Sequence, residues 1–233
     1  MATTLDPTPG APPSPAPPSG PPRWIYAVFA LGGVAFVTLA VAVLLLGDRT
    51  GGSSAARWHG TLLEPAAPRP SFVLTDTDGR PFDFAAETSG ELTLLFYGYT
   101  NCPDICPIHM ATIAQALDRI NVDARVVFVT TDPARDTPER IRAWLDTFDP
   151  SFIGLTGSPE EVAAAQQAIG MTVAVTEPAD AEGDYTVGHG SGVWVITPDD
   201  RVHLIYGFGT RQDDWVADLP AIAREPDWQA RVP

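Results

Sequence analysis

The chain contains no lysine: all fourteen basic residues are arginine, against 29 aspartates and glutamates, for a formal charge of −15 over 233 residues. Asp6 and Arg23 cancel, so the whole imbalance belongs to the part after residue 46. A surface that acidic disfavours nucleic acid and anionic lipid headgroups, whose phosphates need cations opposite them. It suits a cationic partner, and it suits equally well a plain solubilising coat. Cysteine is almost as scarce, with two residues, Cys102 and Cys106. Without a third, a structural zinc site built from four protein ligands lacks its usual donors. There is no internal repeat. The P-x-x-x-T-x-x-C arrangement expected of a cysteine peroxidase is missing too.

Charge is also missing from one long run. Trp24 to Leu46 is 23 residues without a charge or a polar face. As a helix it would extend roughly 34 Å, enough for a bilayer core of about 30 Å. Trp24 and Tyr26 at one end suit a membrane interface. A cleaved signal peptide fits less well, because typical apolar regions there run about 7–15 residues and no small-residue cleavage pattern closes this one. Residues 24–46 are therefore expected to form one uncleaved N-terminal transmembrane helix. Residues 1–23 hold nine of the 24 prolines and no apolar periodicity, the composition of a disordered tail. Residues 47–71, rich in Gly, Ser, Ala and Pro, read as a tether. Arg23 on one flank and Arg49 and Arg57 on the other leave orientation undecided by charge.

A folded domain is expected over 72–225, with 226–233 a C-terminal tail. "SFVLTDTDGRPFDF" carries an Asp78-Gly79 turn between apolar runs, a hairpin signature. "ELTLLFYGY" (91–99) has the continuous apolar run of a buried strand, and the segment after it has helical spacing at Ile105, Met110, Ile113 and Leu117. "ARVVFVTTD" (124–132) and "TPERIRAWLDTF" (137–148) repeat strand then helix, with Thr137 capping and Pro138 at the first helical position. "SFIGLTG" predicts a short strand, Ser158 and Glu161 a capping box for a helix through Ile169, and "MTVAV" a short extended piece. "GVWVITPDDRVHLIYGFG" predicts an antiparallel pair, and 211–224 a final helix. Strands alternating with helices and closing on a hairpin argue for a three-layer α/β domain with a mixed sheet.

The two cysteines lie in "YGYTNCPDICPIHM". A helix starting at or just after Cys102 would place both sulfurs on one side of its first turn. Pro103 suits a helix start, and Pro107 is tolerable only if the regular helix begins close to Asp104. A helix N-terminus favours thiolate over thiol, and thiolates bind metals and attack disulfides. A disulfide across so short a loop would restrain the unfolded chain little.

Four histidines could join the pair. His59 falls in the tether, His203 alternates with apolar neighbours in "RVHLIY", and His109 reads as a surface or half-buried helix position. His189 differs, lying between Gly188 and Gly190 just before the terminal hairpin. If that strand runs antiparallel to those ending near Tyr99 and Thr131, its beginning shares their sheet edge, where ligands of open α/β sheets collect. The two glycines would allow unusual backbone angles that aim the imidazole inward. Two thiolates and one imidazole suit Cu(I), and Cu(II) with a fourth ligand, better than zinc.

At this point the chain resembles the Sco/SenC family of membrane-anchored, thioredoxin-like copper proteins. The likeness runs from "HGTLLEPAAPRPSFVLTDTDGRPF" through "LLFYGYTNCPDICPIHM", "VTTDPARDTPERIRAWLDTF" and "GLTGSPEEV" to "GHGSGVWVITPDDRVHLIYGFGT". The resemblance implies a thioredoxin-like fold with Cys102, Cys106 and His189 as copper ligands. It implies a metallochaperone, delivering copper to the dinuclear site in subunit II of cytochrome c oxidase or of a related copper oxidase. The alternative is an extracytoplasmic thiol-disulfide oxidoreductase that reduces the cysteines of such a site through Cys102 and Cys106. Other copper chaperones or thiol reductases are further partners on this view. The N-terminus does not resemble a mitochondrial transit peptide, so a bacterial plasma membrane is expected, with the C-terminal domain outside. In one departure, many family members carry an aspartate before the histidine where this chain has Gly188. Asp132 and Asp136, in the D-P-x-R-D-T-P run, read as partner-facing, turn-forming or capping residues.

Overall fold

The structure, a computed structural model, describes residues 58–179, 184–225 and Trp228. The expected tail and transmembrane helix lie outside the described residues. Among the described residues no helix is long and apolar enough to cross a membrane.

In chain order the elements are β1 (Thr61–Pro68), β2 (Val73–Asp76), β3 (Pro81–Asp83), α1 (Phe84–Glu87), β4 (Thr93–Gly98), α2 (Ile105–Asp118), β5 (Arg125–Thr130) and α3 (Pro138–Leu145). There follow β6 (Ile153–Thr156), α4 (Pro159–Ala168), β7 (Val175–Thr176), β8 (Val187–Gly188), β9 (Val193–Thr197), β10 (Arg201–Tyr206) and α5 (Gln212–Arg224). Eight strands form one mixed sheet in the order β1-β10-β9-β4-β5-β6-β2-β3, and β7 and β8 make a separate two-stranded ribbon. β4, β5 and β6 are parallel, whereas β9 runs antiparallel to β4, with Phe96 opposite Val193. The beginning of β9 therefore lies beside the end of β4, as the antiparallel reading of the hairpin required.

Period-two alternation in β4 builds two cores at once. Leu94 and Phe96 face α2, α3 and α5, against Met110, Ile113, Ile141, Leu145, Trp215 and Leu219. Leu95 and Tyr97 face the other way, against Phe84, Val162 and Ala165. Helices on both faces of one mixed sheet make the three-layer α/β architecture expected from the sequence. The local signals act as read: Thr137 caps α3 ahead of Pro138, and Ser158 and Glu161 close a reciprocal capping box on α4.

The tether reading fails for residues 58–71. β1 is an edge strand paired with β10, and Trp58 is buried and stacked on Trp228 with centroids 5.8 Å apart. Pro65 and Pro68 made the segment look like linker, but an edge strand pairs along one side only and tolerates residues without an N–H. Trp228 likewise corrects the C-terminal tail at that residue: it is buried, and its indole N–H donates to the Ile222 carbonyl. "MTVAV" also departs from expectation, because only its last residue, Val175, enters a strand.

Candidate metal centre

β4 delivers the chain to the sheet edge at Gly98, and α2 leaves from Asp104, whose carboxylate caps the Ile105 N–H. Cys102 falls in the intervening loop, so only Cys106 is on the helix itself. This corrects the expectation of two sulfurs on one helical turn. The loop instead brings Cys102 in front of the helix N-terminus, where the Cys106 N–H, an orphan donor of the first turn, donates to its Sγ at 3.4 Å. Pro107 sits at the third helical position, where no intrahelical N–H is needed.

The two sulfurs are electrostatically unlike. A hydrogen bond from the Cys106 thiol holds the Cys102 pKa down to about 5, helped by the Cys106 and Asp104 backbone N–H groups and by nearby His189. Cys106 is fully buried, and the same hydrogen bond, given up to Cys102, pushes its own pKa up. The surroundings thus favour the thiolate at Cys102 and the thiol at Cys106, and neither is in a disulfide.

His189 reaches this pair from the segment between β8 and β9. Its Nδ1 lies 2.8 Å from the Gly190 carbonyl oxygen, which assigns the proton to Nδ1 and leaves a lone pair on Nε2. That Nε2 stands 3.8 Å from Cys106 Sγ. Two donors at ordinary metal–sulfur and metal–nitrogen lengths of about 2.3 and 2.0 Å, at a trigonal angle, stand about 3.7 Å apart. The spacing fits one shared ion. Among the described residues, no three His, Cys, Asp or Glu side chains stand together closely enough to hold a metal ion; the contacts that exist are the two pairs around Cys106. Edge-on packing against Phe96 and Tyr99, at 6.3 and 5.8 Å, fixes the imidazole plane. A cleft of about 240 Å³ opens over the group, lined by Tyr99, Cys102, Pro103, Ile105, Val187 and His189 among others. Two larger clefts, of about 440 and 470 Å³, have no cysteine or histidine in their walls.

Neither flanking glycine has a left-handed φ, contrary to the expectation from sequence. A side chain at Gly188 would meet Glu177 Oε1 and the Val175 carbonyl at an ordinary 3.7 Å, so an aspartate there has room. The glycine that the site does need is Gly98. A Cβ there would lie 2.9 Å from Cys106 Sγ and 2.8 Å from the Phe96 ring. Gly98→Ala is expected to lower stability by about 1–3 kcal/mol through overpacking and to displace the Cys106 sulfur. Chemical denaturation together with copper retention would check both effects.

The remaining histidines are structural. His109 is buried, not half-exposed, between the rings of Phe96 and Phe208 at 5.0 and 5.8 Å. Burial holds its pKa down to about 4, and it hydrogen-bonds the Ser191 backbone. His59 bridges Asp218 at 2.9 Å and Asp214 at 3.6 Å, and His203 pairs with Asp199 at 2.9 Å. Sequence reasoning passed over Tyr99, whose hydroxyl hydrogen-bonds both Cys102 and the Val187 backbone. Asp136, whose role was open, is buried and accepts from the Thr100 N–H at 3.0 Å, the Thr100 hydroxyl, and the Thr130 hydroxyl at 2.7 Å. It ties the cysteine loop to the end of β5.

A sequence model of the SCO1/SenC family matches residues 61–224. The chain belongs to the SCO1/SenC family. It is 37% identical over 122 residues to the mitochondrial protein SCO1 homolog 1 of Arabidopsis thaliana, covering 51% of this chain and 36% of that one. It is 35% identical over 128 residues to a SCO2-like protein of Rickettsia felis, covering 54% and 62%. The chain thus spans less than two thirds of either curated relative. The crystal structure of Arabidopsis ScoI with copper bound superposes with a TM-score of 0.62 at 30% identity, over 68% of this chain and 99% of that one. The thioredoxin-like α/β fold with a mixed sheet is common to this chain and these Sco structures.

Proposed function

We propose that this SCO1/SenC chain is a copper-binding metallochaperone, holding copper through Cys102, Cys106 and His189. The carrying observation is geometric: the Cys102 loop, the first turn of α2 with Cys106 and the segment bearing His189 meet at one sheet edge, with the Cys106 N–H on the Cys102 sulfur and the His189 Nε2 3.8 Å from the Cys106 sulfur. The copper-bound Arabidopsis relative supports the choice of metal. Soft sulfur donors with one nitrogen retain Cu(I) and accept Cu(II) with a further ligand. The cargo would pass to the dinuclear copper site of subunit II of cytochrome c oxidase, or of a related oxidase, by exchange of ligands. Residues 24–46 would anchor the domain to a bacterial plasma membrane with residues 72–225 outside, and the acidic surface would favour a cationic docking partner.

The test is copper loading of the reduced full-length chain in detergent, without oxygen. One Cu(I) per chain is expected to survive a competing chelator in the wild type. Cys102→Ser and Cys106→Ser are each expected to lose it. Equal retention in either variant would remove that sulfur from the site.

A second reading rests on the unequal sulfurs. A thiolate beside a thiol is the arrangement of a disulfide reductase. Cys102 would attack a partner disulfide, one partner sulfur leaving as thiolate, and Cys106 would then release the other. The partner gains two electrons, and a Cys102–Cys106 disulfide forms. Reductase activity that survives His189→Ala would favour this reading; activity lost with copper binding would favour the chaperone.

A further inference from the structure

The segment carrying His189 buries little of its own side-chain surface. Val187 is the one buried side chain among residues 184–191, and the β7–β8 ribbon has two residue pairs. Such a segment should open easily, since few buried contacts and a short ladder resist it. Yet one residue in it, Tyr185, is gripped from three directions. Its hydroxyl donates to Asp132 Oδ1 at 2.9 Å. The Arg135 guanidinium lies 3.5 Å from its ring centroid, a close cation–π contact. Arg135 Nη2 donates to its carbonyl oxygen at 2.9 Å.

The gripping residues are themselves fixed. Asp132 is buried and pairs with Arg135, and its N–H donates to the Thr130 hydroxyl oxygen at 2.9 Å. The same hydroxyl donates to Asp136, which holds Thr100 two residues before Cys102. One polar network after β5 thus touches both halves of the metal site. It reaches the cysteine loop through Asp136 and Thr100, and the histidine segment through Asp132, Arg135 and Tyr185.

We propose that Asp132, Arg135 and Tyr185 form a clamp that positions His189 against the cysteine pair. The proposal rests on the three-ligand reading of the site. None of the three residues is a ligand; they act by limiting how far the imidazole strays from Cys106. Copper bound by two sulfurs alone would not need the clamp, whereas copper that requires the imidazole would.

The test compares full-length wild type, Tyr185→Ala and Tyr185→Phe by amide hydrogen exchange without metal, then by Cu(II) retention against a chelator. In Tyr185→Ala, amides 185–191 are expected to exchange about tenfold faster while those of α2 stay unchanged, and Cu(II) retention to fall about tenfold. Tyr185→Phe keeps the ring stack and the carbonyl bond, so it is expected to fall between the two. Unchanged exchange at 185–191 in Tyr185→Ala would overturn the clamp, and so would faster exchange with wild-type copper retention. A wild type that binds no copper would sink the metal-site reading, and the exchange arm would still decide whether the clamp holds the segment.

Discussion

His189→Ala is expected to weaken Cu(II) retention by at least about a hundredfold, since loss of an outer partner of a metal ligand alone costs about 10–100-fold and loss of the ligand should cost no less. Cu(I) is expected to be held less tightly than in wild type, yet not lost, because two thiolates alone suit a soft monovalent ion. The substitution should leave the fold intact: His189 is partly exposed, and its polar contacts are to the adjacent Gly190 carbonyl and to the Cys106 sulfur within the site itself. Chelator competition in both oxidation states, with electron paramagnetic resonance for nitrogen coupling to Cu(II), would read the effect. Unchanged retention in both states would take His189 out of the site and leave a two-sulfur centre.

The arrangement suits temporary custody of a metal. Cys106 is buried at the head of α2, while Cys102 and His189 are partly exposed on loops at the sheet edge. On the proposed three-ligand reading, a partner's ligands would approach from the cleft side and replace Cys102 and His189 before Cys106 lets go. The rigid parts, β4 and α2, carry the inner sulfur. The imidazole is on a segment whose one buried side chain between residues 184 and 191 is Val187, and there a clamp limits its movement.

Much of this was legible in the sequence. The strand-helix order could be read because each element carries its own signal: an apolar run in β4, a capped start with proline in α3, a capping box in α4. The cysteine pair declared itself by spacing and by its prolines, and His189 by its place before β9. Other features depend on contacts that no local pattern encodes. β1 hid behind two prolines that only its edge position excuses. His109 reads as a surface or half-buried residue until Phe208, distant in sequence, packs against it. The clamp links Asp132 to Tyr185 across more than fifty positions, and neither residue looks unusual among its neighbours. The glycines flanking His189 invited a conformational explanation, whereas the critical glycine is Gly98, set by its approach to a sulfur.

Cys102 should react with iodoacetamide far faster than Cys106 in the metal-free chain, and its rate should fall as pH drops through about 5. At pH 6 a group with that pKa is about 90% thiolate, whereas an ordinary cysteine near 8.5 is well under about 1%. After allowance for the lower intrinsic nucleophilicity of a more acidic thiolate, a rate advantage of roughly five- to tenfold over a free thiol remains at pH 6. Cys106 is buried and its pKa is raised, so it should resist until the chain unfolds. Stability follows with a definite sign. The folded pKa of Cys102 is depressed, so its contribution is present above the unfolded value of about 8.5 and lost as pH falls toward 5. Between those limits the unfolded chain binds more protons, and this pair makes stability rise with pH. Mass spectrometry of alkylated peptides across pH 4–8, read against the Cys102→Ser variant, would decide the matter. Equal labelling of both cysteines at pH 6 would mean that the thiolate is shared between them, and the inner and outer roles assigned to the two sulfurs would fall.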